Sequence, residues 1–124
     1  MKVILKDDVN PDELLSMNPL LWQMFSYVVG FCAEHNIKMV VSSIYRPPND
    51  GISVSTTHQD YRAFDVSLKK EHGWTDGKIS LIENEINHTF LHIGAVSYNT
   101  GKSRPIVVHD TGSGMHLHFQ VRRL

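Results

Sequence analysis

The sequence predicts a single α+β domain in which helices pack on one face of a small, mostly antiparallel sheet. The chain has 124 residues, of which 41% are hydrophobic and 20% charged, and this composition is typical of one globular domain. Helical patterns come first and interrupt a set of strand patterns, an order that favours an α+β fold. No internal repeat or linker-like shift in composition divides the chain, so we expect one domain over residues 1–124.

Two helices are expected before the first strand. The segment Asn10-Pro11-Asp12-Glu13 combines a candidate N-cap residue, a proline in the first turn and acidic residues, and it predicts a short helix capped by Asn10. A second helix begins at Asn18-Pro19, and apolar residues recur at three- and four-residue spacing as far as His35-Asn36. Cys32 lies on this apolar stripe, and we expect it to be a buried small hydrophobe rather than a nucleophile.

A third helix and four strands are expected in the rest of the chain. The strands are predicted at 38–45, 62–68, 104–109 and 116–121, and the amphipathic helix at 74–90. The last two strands are separated by a short segment with two glycines, which predicts a hairpin-like connection.

Charge and hydropathy exclude several classes of partner. Twelve Lys and Arg against thirteen Asp and Glu give a formal charge of −1, and no basic block stands out beyond Arg122-Arg123, so we expect no nucleic-acid partner. The N-terminus lacks the apolar core of a signal peptide, and no segment approaches eighteen apolar residues. We therefore expect no membrane span and a protein made in soluble form in the cytoplasm.

The last predicted strand carries two histidines on one face. Alternation along the strand sends Leu117, Phe119 and Val121 to the core and His116 and His118 to the opposite face. A lone His-x-His pair is more often a polar pair on a solvated strand face than a site.

Other residues on the same side of the sheet make a metal site the stronger interpretation. Asp65 projects from the polar face of the strand at 62–68, and His58 precedes it by seven residues. Two histidines and a carboxylate form the three-ligand set of catalytic zinc sites, with a fourth position left open. Arg46 ends the first predicted strand and could hold a carboxylate or a developing oxyanion, or it could be a solvated loop charge.

Three spaced motifs resemble those of the M15 zinc peptidases, the D-alanyl-D-alanine carboxypeptidase and L-alanyl-D-glutamate endopeptidase group. The motifs are Ser42-Ser43-Ile44-Tyr45-Arg46, Thr56-Thr57-His58-Gln59-Asp60-Tyr61-Arg62-Ala63-Phe64-Asp65 and His116-Leu117-His118, and the resemblance covers residues 20–122. It implies a Hedgehog/DD-peptidase-like fold, a Zn²⁺ cofactor and a peptidoglycan stem peptide as substrate. It also implies that His58, Asp65 and His118 bind the zinc.

The resemblance further implies the roles of residues around the metal. Arg46 would hold the substrate, Thr56 would keep the hydroxyl group of the family's serine, and His116 would line the cleft. Three positions depart from the family pattern: Thr56 stands where serine is usual, Tyr61 stands where glycine is usual, and Met115 stands where the family carries an acidic general base.

A thioether cannot accept a proton, so the general base must come from elsewhere. We rank His116 first, because its strand geometry aims it at the site, then Asp110, and then His109. The other four histidines, His35, His72, His88 and His92, are interpreted as surface or satisfied structural residues.

The C-terminal segment is also similar to the ending of the M23 (lysostaphin-like) peptidases. Those enzymes carry an early His-x-x-x-Asp, whereas six residues separate His58 from Asp65 here, and they lack the motif around Arg46. The M15 resemblance is therefore the better one, and both families act on peptidoglycan.

Two functions from different classes follow from these patterns. The first is a zinc metallopeptidase that cleaves stem peptides, and its small size and missing signal peptide suit a phage or prophage lysis enzyme acting at the cell wall. The second is a non-catalytic zinc-binding interaction module, because the Hedgehog signalling domain shares the implied fold and works by binding partners. A metal-free α+β binding domain is a weaker third interpretation.

Overall fold

A computed structural model describes residues 3–47, 56–97, 100–110 and 114–124, and it has the predicted α+β architecture. Within these residues the helices are α1 (Asp12–Leu15), α2 (Pro19–Glu34) and α3 (Asp76–Thr89), and the strands are β1 (Val3–Leu5), β2 (Met39–Ser43), β3 (Ala63–Ser67), β4 (Ile106–Asp110) and β5 (Met115–Gln120). Short 3₁₀ turns occupy Lys70–His72 and Leu91–Ile93.

The five strands form one mixed sheet in the order β1-β2-β3-β5-β4. The β1–β2 pairing is parallel, and the other three pairings are antiparallel. The sequence did not predict β1, because three residues at the edge of a sheet are too few to show a strand period. The other predicted helices and strands lie within two residues of their observed ends, the usual uncertainty of element boundaries.

The two N-terminal helices are capped differently from each other. Asn18 caps α2, and its side chain accepts a hydrogen bond from the backbone N–H of Leu20 at 2.8 Å, as the sequence predicts. The expected cap of α1 is corrected by one position: Pro11 is the N-cap residue, and Asn10 instead accepts from the N–H of Asp12 at 2.9 Å. The proline has no side-chain acceptor, so Asn10 satisfies the first helical N–H from one residue further out.

The hydrophobic core lies between α2, α3 and one face of the sheet. Phe64 of β3 stacks on Phe119 of β5 with ring centroids 4.7 Å apart, and Phe25 of α2 packs edge-on against Phe64 at 5.0 Å. Cys32 is buried in the same core, and burial raises the pKa of its thiol to about 12. The prediction that Cys32 is a buried hydrophobe is therefore confirmed.

The opposite face of the central strands is polar but buried. All five residues of β3 are buried, including Asp65 and Ser67, which the strand period places away from the core. His116 and His118 of β5 lie beside them and are also buried. The sheet therefore carries a second, polar interior on the side that does not pack against the hydrophobic core.

No helix in the described ranges is long and apolar enough to cross a membrane. The predicted hairpin connection between β4 and β5 includes residues 111–113, which lie outside the described part of the chain.

Candidate metal centre

The register of the sheet brings two of the predicted ligands side by side. Asp65 on β3 pairs directly with His118 on β5 and with Ser43 at the end of β2. Residues that pair across antiparallel strands project from the same face, so the Asp65 carboxylate and the His118 imidazole share one environment.

The third predicted ligand, His58, comes from a tight turn that precedes β3. The backbone N–H of Arg62 donates to the carbonyl of Thr57 at 2.8 Å, and the N–H of Asp60 donates to the carbonyl of Thr56 at 3.2 Å. These bonds fold the chain back onto the sheet. His58 is therefore buried, with only 2% of its surface exposed.

The three predicted ligands converge on one point. Nδ1 of His118 lies 2.8 Å from Oδ1 of Asp65, and Nε2 of His58 lies 3.2 Å from the same oxygen. One ligand atom from each of the three residues falls within 4.8 Å of the others, and all three residues are buried. The sequence prediction that His58, Asp65 and His118 form one cluster is met by this geometry.

The second nitrogen of each imidazole is held by an oxygen acceptor. Nδ1 of His58 donates to the backbone carbonyl of Ile44 at 2.8 Å. Nε2 of His118 lies 2.9 Å from the side-chain oxygen of Gln120, whose own amide donates to the carbonyl of Arg104 at 2.8 Å. These partners assign the proton of each neutral imidazole to the nitrogen that points away from Asp65.

The consequence is that unshared electron pairs face one another inside the cluster. Nε2 of His58 and Nδ1 of His118 both direct a lone pair toward an oxygen of the Asp65 carboxylate when the rings are neutral. Nε2 of His58 makes no hydrogen bond within the described residues, although it is buried. Three electron pairs that converge in a buried site repel one another unless positive charge lies between them. A bound metal ion or added protons can supply that charge.

Asp65 keeps its negative charge in this environment. Burial raises the pKa of Asp65, but hydrogen bonds and positive charge from His118 and His58, in the state in which these rings are protonated, outweigh burial and hold that pKa well below its usual range. The Arg46 guanidinium adds a salt bridge to the second oxygen, Oδ2, at 3.0 Å. The carboxylate is therefore ionised and has one oxygen, Oδ1, directed at the two histidines.

The donor set fits a divalent metal of the zinc type. Zinc bonds to nitrogen and oxygen of about 2.0–2.1 Å place tetrahedral ligand atoms about 3.3 Å apart. The two distances to Oδ1 of Asp65, 2.8 and 3.2 Å, are close to that spacing. Two imidazoles and one carboxylate are also the composition of a zinc site that keeps an open position.

Arg46 lies beside the cluster, as predicted, but it is engaged with the protein. Its Nε donates to the hydroxyl of Ser43 at 3.1 Å, and a terminal nitrogen binds Asp65. The side chain remains 25% exposed, so it is not a solvated loop charge. The predicted role in holding the substrate stays a prediction.

Two further histidines line the same polar face. His116 pairs with Ser67 on one side and with His109 on the other, and its Nδ1 is buried without a hydrogen bond in the described part of the chain. The His109 ring lies edge-on to the His118 ring with centroids 5.5 Å apart. Burial lowers the pKa of His109, although the charge of Asp65 opposes the shift.

The remaining candidate residues lie at the edge of the centre. Asp110 pairs with Met115, and the strand period places both on the face that carries Leu117, away from His109 and His116. Thr56 is exposed, and its hydroxyl lies 3.5 Å from the Arg62 guanidinium. The predicted roles of Asp110 and Thr56 stay predictions.

Sequence reasoning missed the residues that orient the ligands. Gln120 lies two positions after His118 on the same strand face, so strand alternation contains a signal that could have found it. No sequence pattern points to the carbonyl of Ile44, because its contact with His58 depends on how the turn that contains His58 folds against β2.

The other histidines lie away from the cluster. His88 and His92 are exposed, as expected, and His35 packs against Phe31 with ring centroids 4.3 Å apart. His72 departs from the expectation of a satisfied residue, because its Nδ1 is buried without a partner in the described ranges.

No protein-family model matches the chain, no curated protein shows significant similarity to it, and no solved structure matches its fold.

Proposed function

We propose that the protein is a zinc metallopeptidase that hydrolyses peptide bonds in peptidoglycan stem peptides. The observation that carries the proposal is the buried convergence of His58, Asp65 and His118, with the outer nitrogen of each imidazole held by an oxygen acceptor. Structural zinc sites use four protein ligands, whereas three ligands are typical of catalytic zinc sites.

Zinc bound by these residues supplies Lewis acidity toward water and toward a carbonyl oxygen. The protein's part is to fix the ligands before the metal arrives. Ile44 and Gln120 orient the two imidazoles, and Arg46 fixes the rotation of the Asp65 carboxylate. Such orienting contacts typically change metal affinity or activity by about 10- to 100-fold when they are removed.

His116 is the residue that we assign as proton acceptor. It projects from the same strand face as His118. The residue is 7% exposed, and its buried Nδ1 has no hydrogen-bond partner in the described ranges. A buried imidazole nitrogen without a partner is available to accept a proton from water or to donate one to a carbonyl oxygen. In this assignment His116 takes the role of the acidic residue that the M15 family carries at the position of Met115.

Arg46 and Thr56 are the residues that we assign to the substrate. Arg46 presents a partly exposed guanidinium next to the cluster, and guanidinium groups recognise carboxylates in bidentate geometry. A stem peptide contains free carboxylates close to its scissile bonds, so the charge is complementary. The peptidoglycan substrate class and a Hedgehog/DD-peptidase-like fold rest on the three motifs that resemble the M15 family, as does a role in phage or prophage lysis at the cell wall.

A non-catalytic zinc-binding module is the second candidate. Met115 is 48% exposed at the start of β5, and it offers no proton acceptor at the position where the M15 family has one. If neither His116 nor another residue acts as the base, the same cluster would bind zinc without turnover, and the protein would function by binding a partner.

The deciding experiment compares cleavage and zinc content in three proteins. Zinc-loaded wild type is incubated with a stem peptide that contains both D-Ala-D-Ala and L-Ala-D-Glu bonds, and the products are identified by mass spectrometry. His116→Ala should retain zinc and lose about 100-fold or more in turnover, the usual scale for a proton-transfer group. His88→Ala, at an exposed position in α3, is the matched control and should behave as wild type.

Three outcomes would separate the candidates. Cleavage by wild type and its loss in His116→Ala support the peptidase and the assigned base. An unchanged rate in His116→Ala would overturn the assignment of His116, and Asp110→Asn and His109→Ala would then test the two other candidates for the base. A zinc-loaded wild type that cuts neither bond would contradict the peptidase and favour the binding module.

A further inference from the structure

Tyr61 adopts a backbone conformation that is unfavourable for its side chain. Its φ is +57°, in the left-handed region, and it ends the turn that carries His58. The other non-glycine residue with positive φ among the described residues is Asn36, at +56°, and asparagine tolerates this conformation far better than tyrosine does. Backbone strain of this kind persists only where the surrounding structure enforces it, and it concentrates at functional sites.

The contacts of Tyr61 show what holds it in place. Its ring stacks on the Tyr45 ring with centroids 4.9 Å apart and planes 18° apart. Its carbonyl accepts a hydrogen bond from the backbone N–H of Asn18, the cap residue of α2, at 3.0 Å. Glycine at this position would keep the turn and the Asn18 contact without strain, but it would remove the ring.

The ring contact joins the two segments that supply the site. Tyr45 directly precedes Arg46, and Tyr61 follows His58 by three residues. The same two segments are also joined by the bond from His58 Nδ1 to the Ile44 carbonyl, at 2.8 Å, and by the longer contact from the Arg46 N–H to the His58 carbonyl, at 3.5 Å. The first bond joins the His58 side chain to the backbone of Ile44, the second joins the backbones of Arg46 and His58, and the aromatic stack joins two side chains next to Arg46.

We infer that Tyr61 is a positioning residue, which acts through its stack on Tyr45 to hold the Arg46 guanidinium at the metal centre. Tyr45 is 37% exposed, and its backbone N–H donates to Oε1 of Glu13 at 2.9 Å. Without the Tyr61 ring its side chain would have no aromatic partner in the described residues to hold it at the point where β2 ends. The Arg46 side chain would then exchange between Asp65 and solvent. In the proposed peptidase, on which this part of the inference rests, substrate binding would weaken because the anion site would be less ordered.

The test uses variants that separate the ring from the backbone strain. Tyr61→Gly removes the stack and the strain together, whereas Tyr61→Phe keeps both and removes only the hydroxyl group. Asn36→Gly is the matched control, because it also places glycine at a left-handed position but lies away from the site, after α2. Tyr45→Leu removes the stack without altering the backbone at position 61, and it decides the question if Tyr61→Gly fails to fold.

The first readout is independent of activity. The side-chain Nε–H of Arg46, assigned by its absence in Arg46→Lys, is followed by NMR in ¹⁵N-labelled, zinc-loaded protein. We expect its exchange with water to rise about ten-fold or more in Tyr61→Gly and Tyr45→Leu, because the bond from Nε to Ser43 is protected only while the side chain is held. Tyr61→Phe and Asn36→Gly should match wild type.

The second readout is the split between KM and kcat on the stem peptide. Tyr61→Gly should raise KM about ten-fold and leave kcat within about two-fold, the pattern for lost substrate binding. A purely structural role would instead lower the melting temperature with normal KM in the folded fraction. Tyr61→Phe, which keeps the ring, should have the same KM as wild type.

Unchanged Arg46 Nε–H exchange in both Tyr61→Gly and Tyr45→Leu would overturn the inference, and so would an equal increase in Asn36→Gly. If wild type cleaves no stem peptide, the proposed peptidase fails, and the exchange measurement alone decides whether Tyr61 positions Arg46.

Discussion

Replacing Asp65 by asparagine should destabilise the metal-free protein far more than the same change at Asp60. Both carboxylates accept contacts from two or more side chains that can carry positive charge: Asp65 from Arg46 and two histidines, and Asp60 from Arg62 and Arg123. They differ in solvent access, because the side chain of Asp65 is 1% exposed and that of Asp60 is 38% exposed.

The expected magnitudes follow from that difference in burial. Removing one partner of a buried ion pair costs about 3–5 kcal/mol, because the other charge remains without compensation. Arg46 is one-quarter exposed and can turn toward solvent, so we expect Asp65→Asn to fall at the lower end, about 3 kcal/mol. An exposed pair contributes about 0–1 kcal/mol, and Asp60→Asn should fall in that range.

The assay is urea unfolding in the presence of a chelator, with the free energy of unfolding extrapolated to water for wild type and both variants. The same titrations are then repeated with zinc. At a free zinc concentration 100 times the dissociation constant, wild type and Asp60→Asn should gain about 2.7 kcal/mol. Asp65→Asn, which lacks the charged ligand, should gain little.

Equal destabilisation by the two substitutions would refute the reasoning, because burial would then not control the strength of these pairs. A full zinc-dependent gain in Asp65→Asn would show that Asp65 is not a metal ligand.

Three other changes give separate checks. Arg46→Lys should keep zinc but lose substrate affinity, since an ammonium group cannot reproduce bidentate contact, and a wild-type KM measured with stem peptide would contradict the assignment. Zinc affinity, measured by competition with a chelating dye, should be lower in acidic than in neutral solution, because protons compete with zinc for imidazole nitrogens. An affinity that stays constant from pH 7 to 5 would argue against histidine ligands. Burial raises the pKa of Cys32 to about 12, so little of the reactive thiolate is present at pH 8. Its reaction with a disulfide reagent at pH 8 should be at least about a thousand-fold slower in the native protein than in urea. Fast labelling of the native protein would place the thiol at the surface.

Strand alternation predicted which face of β3 and β5 carries the polar side chains of the metal centre. The pattern of β5 separates Leu117 and Phe119, which are buried in the core, from His116 and His118, which lie on the other face, and the pattern of β3 places Asp65 beside them. These assignments depend only on a two-residue period that the sequence displays directly.

Features that depend on tertiary register could not be predicted in the same way. Strand alternation shows that one face of β3 and β5 is polar but does not show whether that face is buried, and in the structure all five residues of β3 are buried, as is His58 of the preceding turn. The direct pairing of His109 with His116 depends on the register of β4 against β5, which the residue pattern of the two strands does not determine. The strand β1 is short and at an edge, and α1 and α2 separate it along the chain from β2, its partner in the sheet.

Zinc binding at equilibrium tests the central claim most directly. Metal-free wild type, titrated with zinc and analysed for bound metal after removal of the excess, should bind one ion per chain through His58, Asp65 and His118. His118→Ala should bind none under the same conditions, and the exposed-site control His88→Ala should bind as wild type does. A wild type without stoichiometric zinc after reconstitution, or a His118→Ala variant with undiminished affinity, would contradict the account.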